Sequence, residues 1–256
     1  LKQIIKLEEP KILEQYREMY PNDDWKSGFS ANSGKDGIKC VRDSLLREQG
    51  GLCVYCEIDL KLGEGRANND FRVEHFYPDN PQKNIQSRND GINYSLHWQN
   101  LFGCCHGGDL STVIEKSQRY TRPDVHCDIN KKNNDWTDKL LNPISDIPNA
   151  HSFFEFDENG LISVKKTTIP ANIKAKAENT IKLLSLDSKS LNKFRRAIID
   201  QLAQELQSDS TLELDEILYE LASVYLSKDE NGNYNSPFFS TVRWYLADGA
   251  ERFLND

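Results

Sequence analysis

Between residues 53 and 132 the chain carries Cys53-Val54-Tyr55-Cys56, Glu74-His75, Asn100-Leu101, Cys104-Cys105-His106 and His126-Cys127-Asp128-Ile129-Asn130-Lys131-Lys132. Cys53 and Cys56 put two thiols on one turn, the spacing at which a tetrahedral zinc ion takes two ligands. Cys127 and one of Cys104 or Cys105 are the candidates for the other two. The competing readings are packing cysteines and a redox pair; no βαβ pattern surrounds the turn, which disfavours redox. Glu74 beside His75 offers a ligand for a divalent cation next to a general base. On a strand the two side chains point to opposite faces, so both serve one site only if the chain bends there. His97 lies in an aromatic run and reads as a packed ring, His126 abuts Cys127 and has access to the site, and His106 and His151 read as loop or strand-entry residues.

The elements that must position these residues follow from periodicity and punctuation. Residues 9–20 read as a helix opened by Pro10 and closed by Pro21. Residues 37–49 read as a second, with Ile38, Val41, Leu45 and Leu46 on one face, Cys40 in its core and Gly50-Gly51 as its stop. Residues 71–76 alternate as a strand. Residues 63–70 and 78–93 are loops, 94–102 return to the core, 106–124 form an exposed insertion, and 128–134 begin a helix. Phe153–Phe156 and Leu161–Val164 flank Asp157-Glu158-Asn159-Gly160 as a hairpin over 152–166. Helices are expected near 172–186, 190–207, 211–227 and 237–254, with Ser210-x-x-Glu213 as a capping box for the third. Lys193, Arg195 and Arg196 read as a solvated helix face.

The chain has 256 residues, 38% hydrophobic and 28% charged, as in a soluble globular protein. It has no apolar run of the ~18 residues that span a membrane and no signal core at its start. It begins with Leu1 rather than Met, so a trimmed chain is expected. A cytoplasmic setting, where thiols stay reduced, is expected too. The net charge is −8, but residues 200–256 hold 12 acidic side chains against 3 basic. The acid therefore sits at the C-terminal end, which leaves room for a positive face elsewhere.

Taken together, these motifs resemble the HNH nucleases of the ββα-metal type. Cys53/Cys56, Glu74-His75, Asn100-Leu101 and Cys105 with Cys127-Asp128-x-x-Lys131 stand where that family has its cysteine pairs, catalytic dipeptide, Asn-Leu and final motif. The chain is more closely similar to one branch, the HNH subunit (PtuB) of Septu anti-phage systems and of related retron-linked systems. That likeness rests on the N-terminal helix, Gly51–Cys56, Val73–Phe76, Trp98–Gly103 and His126–Asp128. It is specific over the first 145 residues and only a general helical pattern after about 170.

The resemblance implies an α+β fold. A zinc-stabilised ββα core over 37–145 would follow an N-terminal helical arm over 1–36, with a hairpin and helical docking region over 146–256. His75 would be the general base, and Glu74 and Asp128 would be ligands of a catalytic Mg²⁺ or Mn²⁺. Asn100 would brace the loop and orient the imidazole, and Lys131 would sit near the phosphate. Cys53, Cys56, Cys105 and Cys127 would hold a structural Zn²⁺, with Cys105 preferred over Cys104. Asp128 departs from the usual final His or Asn, which makes Asn130 a rival. The implied activity is phosphodiester hydrolysis of DNA, or of RNA, in phage defence, controlled by a PtuA-type ATPase partner and with no membrane role. No motif in the sequence reads bases. A non-catalytic zinc-stabilised nucleic-acid or protein adaptor would keep the cysteines without needing Glu74, His75 and Asp128.

Overall fold

The computed structural model describes residues 1–60, 70–80, 88, 90–113, 119–147, 153–166, 169–208 and 213–256. The expectations for His151, for the loop at 63–69 and for the Ser210 capping box lie outside these residues.

Helix α1 spans Lys11–Met19 and opens directly after Pro10. A π-helical turn at Trp25–Phe29 follows, with the Asp24 side chain accepting from Ser27 N. Helix α2 spans Gly34–Gln49 and buries Val41, Leu45, Glu48 and Gln49. Gly50 ends it in the left-handed region at φ 63°, which a residue without Cβ adopts at no steric cost. Cys40 falls off the buried face and is exposed, contrary to the core position expected from the helical pattern.

Gln49 explains how α2 holds what comes next. Its amide donates to Leu52 O at 2.7 Å and Gly103 O at 2.8 Å and accepts from Gly103 N at 2.6 Å. These three bonds tie the cysteine turn and a strand to one buried side chain. That turn is itself a small hairpin, with Cys53 N bonded to Ile58 O and Leu60 N bonded to Gly51 O.

Strand β1, Arg72–His75, pairs antiparallel with β2, Leu101–Cys104, so that Glu74 faces Phe102 and His75 faces Leu101. A single turn of helix, α3 (Asp128–Lys131), comes after the insertion. The insertion is not simply exposed. Arg119 is buried, bonds Asp70 Oδ2 at 2.7 Å and Asp59 O at 3.0 Å, and pairs with the Asp59 carboxylate. The charge that looked solvated in sequence is the anchor that returns this segment to the core.

Strands β3 (Phe154–Phe156) and β4 (Ile162–Val164) form the expected hairpin. Four helices close the chain: α4 (Ala171–Leu183), α5 (Lys189–Ser208), α6 (Leu214–Tyr225) and α7 (Phe239–Asn255). The main core joins α1, α2, the cysteine turn, both strand pairs and α4, while Leu202, Ala222, Val242 and Leu246 centre a second cluster that also takes in Leu52. On α5, Arg195 is buried under the Phe156 and Phe238 rings. Only Lys193 and Arg196 of the expected solvated trio are exposed. The fold is thus α+β, helix-rich, with two small two-stranded sheets among the described residues. Among the described residues no helix is long and apolar enough to cross a membrane.

Candidate functional site

The cysteines converge. Cys53, Cys104, Cys105 and Cys127 bring their sulfurs within 4.8 Å of one another, and so do Cys56, Cys105 and Cys127 with a nitrogen of His126. Sulfur–sulfur distances run from 3.6 Å (Cys56–Cys105) and 3.7 Å (Cys53–Cys104) to 3.9 Å (Cys53–Cys127 and Cys105–Cys127). Four thiolates about 2.3 Å from one zinc ion would be separated by similar amounts. The backbone N–H of Cys105 donates to Cys53 Sγ and that of Gly107 to Cys105 Sγ, both at 3.4 Å. Burial pushes the Cys56 and Cys127 thiols up. Cys53 alone is drawn well down: burial opposes its ionisation, but the surrounding thiols donate to it and prevail. A cluster that can ionise one thiol by itself and buries the rest suits a cation that would neutralise them.

Cys105 and Cys127 belong to both groups, whereas Cys53 and Cys56 fall in one each, so neither group by itself is the expected set of Cys53, Cys56, Cys105 and Cys127. Cys104 donates to Asp128 Oδ1 at 3.5 Å. His126, which the sequence left as a neighbour, is buried with Nδ1 3.2 Å from Cys127 Sγ. Burial holds it neutral, with a pKa of about 4. Cys127 itself has φ 58° and Lys132 φ 51°, so two non-glycine residues in disfavoured backbone conformations bracket α3. Such positions cost ~1–3 kcal/mol each and persist only when the surroundings enforce them.

One face of this framework borders a cleft of 730 Å³ lined by Trp25, Arg72, Glu74, His75, Asp79, Asp128 and Lys131, among others. The bend that the Glu-His pair requires is present. β1 ends at His75 and the chain turns at Phe76–Tyr77, so both residues line the cleft. His75 Nε2 lies 2.9 Å from Ser95 O. A carbonyl only accepts, so Nε2 carries the proton and Nδ1 keeps its lone pair. Burial lowers the His75 pKa, against the opposing pull of Asp79 and the Ser95 bond. The ring meets Trp25 edge-on at 5.8 Å.

Asn100 braces the turn rather than the imidazole. It accepts from Tyr77 N at 2.7 Å and donates to Tyr77 O at 2.9 Å and Tyr94 O at 2.8 Å. Tyr94 precedes Ser95, so this brace fixes the carbonyl that holds His75. Glu74 accepts from Tyr55 Oη at 3.0 Å and pairs with Lys131 Nζ at 2.8 Å. Lys131 is only 1% exposed and also donates to His75 O at 2.7 Å. Its ammonium is thus committed to the site's own groups, whereas the sequence suggested a place beside a phosphate. Asp128 pairs with Arg72 Nε at 2.9 Å. Burial first, and Glu74's charge second, raise its pKa to about 7. Asn130 points elsewhere, bonding Val125 O and Ser185 Oγ. Two buried carboxylates on one cleft wall, one of them hard to ionise beside the other, form an oxygen donor set that fits Mg²⁺ or Mn²⁺.

Sequence reasoning missed Tyr55, Arg72, Ser95 and Asp79. Arg72 had a signal, since it sits two residues before Glu74 and so on the same face of the strand. Ser95 acts through a backbone carbonyl, which no side-chain motif encodes.

No family model matches the chain. It is, however, 30% identical over 218 residues to a protein of Escherichia coli named as the HNH endonuclease of retron Ec83, covering 78% of this chain and 79% of that one. The chain belongs to the HNH endonuclease family. A second relative, named as the HNH endonuclease of retron Vc95 of Vibrio cholerae, is 28% identical over 204 residues, covering 78% of this chain and 82% of its own length.

Proposed function

We propose that this chain is a metal-dependent endonuclease of the ββα-metal type, the PtuB-like nuclease of a Septu or retron-linked defence system. The observation that carries the reading is His75: its Nε2–H is spent on Ser95 O, its Nδ1 is left available, and it lines one cleft with Glu74 and Asp128. A divalent cation held by Glu74 and Asp128 would stabilise charge on the scissile phosphate and its leaving oxygen. His75 Nδ1 takes the proton of the attacking water as its oxygen bonds phosphorus and the P–O bond to the leaving group breaks. Asn100 holds the Tyr77 and Tyr94 backbone and so keeps the ring aimed. Lys131 holds Glu74 in place. Arg72, partly exposed and paired with Asp128, is set to turn to a substrate phosphate once that carboxylate is engaged.

Cys53, Cys56, Cys105 and Cys127 are our choice for a structural zinc, with His126 Nδ1–H donating to the Cys127 thiolate as an outer partner. The retron names of the relatives support a role in phage defence. The acidic C-terminal region suits protein contacts, and we assign the PtuA-type ATPase to it, in the reducing cytoplasm that free thiols favour.

The test is co-purification with the neighbouring ATPase, followed by cleavage of DNA and RNA in Mg²⁺ or Mn²⁺, wild type beside His75→Ala. We expect a loss of ~10²–10⁴-fold in rate with nucleic-acid binding retained. Full cleavage by His75→Ala would overturn the mechanism and favour the adaptor reading.

A further inference from the structure

The residues after His75 divide between two cavities. Pro78 and Asp79 line the cleft just described, while Phe76 and Tyr77 line a second cavity of 310 Å³. The Tyr77 and Tyr94 rings lie 4.7 Å apart at this second cavity, and the Arg88 guanidinium covers both at 4.8 and 5.4 Å. Arg88 is itself held by Thr137 Oγ1 at 2.6 Å. His97 meets Tyr94 edge-on at 6.1 Å; burial and the charge of Arg17 favour its neutral form. Tyr77 is buried, yet its hydroxyl finds no hydrogen-bond partner among the described residues. A buried hydroxyl is normally paired, so this one is a donor and acceptor awaiting a partner.

The chemistry of the walls narrows the ligand. Asp138 and Asp146 line the cavity with Gln99 and Asn142. Asp146 is paired with Lys176 at 2.8 Å, and with Arg88 and Asp138 the lining carries as many carboxylates as cations. Such a wall has no net positive charge to draw a phosphate, whereas aromatic faces with amide and carboxylate edges match the flat face and polar rim of a base. The volume is at the small end of the ~300–1,000 Å³ range of ligand sites. Asn100, the brace of the catalytic turn, lines this cavity too, and Tyr77 is only two residues, roughly 7 Å of extended chain, from His75.

We infer that this cavity receives an unstacked nucleobase of the substrate strand, from the nucleotide flanking the phosphate cut at His75. The inference rests on the nuclease reading and deepens it: the substrate is single-stranded or locally opened nucleic acid, because a base inside a duplex stack cannot enter.

The experiment measures binding of short labelled single strands, DNA and RNA, to the 256-residue His75→Ala chain in Mg²⁺, with an abasic site moved along the strand. One abasic position flanking the cut should weaken binding by about 5–150-fold, the usual worth of one stacked base. Tyr94→Ala should show the same loss and make that abasic position neutral. Tyr94→Phe should keep the base-dependent binding, which separates stacking from mere damage to the fold. A flat abasic scan on a tightly bound strand overturns the inference, and the nuclease reading survives it if wild type still cuts. A free nucleotide that binds at Tyr94 while the scan stays flat also overturns it, making the cavity a mononucleotide site. Absence of both binding and cutting of any nucleic acid sinks the inference and the nuclease reading together.

Discussion

At the scale of single residues, the site is governed by which partner each polar group has. His75 illustrates this, because the role of base proposed for it depends on Ser95 O taking one nitrogen. The pH dependence follows with a definite sign. Burial lowers the His75 pKa from its ordinary ~6.5, so the ring is neutral and competent at neutral pH and is lost as a base only as pH falls below that value. With metal at saturation, so that Asp128 is held ionised, the acid limb of kcat/KM should therefore lie below pH 6.5. Asp79 is the largest pull in the other direction, so Asp79→Asn should move the limb further down. An acid limb above pH 7 would contradict this account of His75.

At the scale of elements, buried charges and one glycine set how segments meet. Arg119 links the insertion to Asp70 and to the cysteine hairpin at Asp59. Arg119→Met strands a buried carboxylate, so it should cost about 3 kcal/mol, read as a lower urea midpoint with an unchanged slope. Gly249 of α7 packs directly on Leu218 of α6. A Cβ there would lie 2.5 Å from Leu218 Cβ and 2.6 Å from its carbonyl carbon. Gly249→Ala should thus destabilise by ~1–3 kcal/mol through overpacking, although alanine is the better helix former. A neutral or stabilising result in thermal melts would mean that the two helices can separate freely. Glu57 belongs at this scale as well: its carboxylate accepts from Ser240 N at 2.8 Å and Ser240 Oγ at 2.6 Å at the start of α7, and its backbone O accepts from Phe238 N at 2.8 Å.

At the scale of the molecule, the cysteine cluster is where separate parts of the chain are tied. The turn at Cys53–Cys56 is fastened to α2 by Gln49 and to α7 by Glu57. Cys127 N donates to Leu184 O at the end of α4 at 2.8 Å. Stripping a metal from such a junction should lower the cooperative melting of the whole chain rather than free one loop. We expect one zinc per chain by elemental analysis, released by a thiol-blocking mercurial, with a lower Tm and loss of any cleavage. Melting unchanged after complete release would show that the cysteines pack without a metal.

The boundary between what the sequence determined and what only tertiary structure decided is a physical one. The Cys-x-x-Cys turn, the Glu-His pair, the Gly50-Gly51 stop, the 154–164 hairpin and the closing helices were legible because each depends on residues adjacent in the chain. The second strand, β2, was read only as a return to the core, since an apolar aromatic run has no period of its own. Cys40 and Arg195 were misplaced because helical periodicity gives a face but not what packs against it. The commitments of Lys131 to Glu74, Arg72 to Asp128, His126 to Cys127 and Asn100 to the Tyr77 backbone were invisible for a related reason. A sequence lists donors and acceptors, but burial decides which of them must pair. Only the folded chain, with β1 laid against β2 and α3 held between strained ends, brings residues 53 to 131 close enough for that choice to be made.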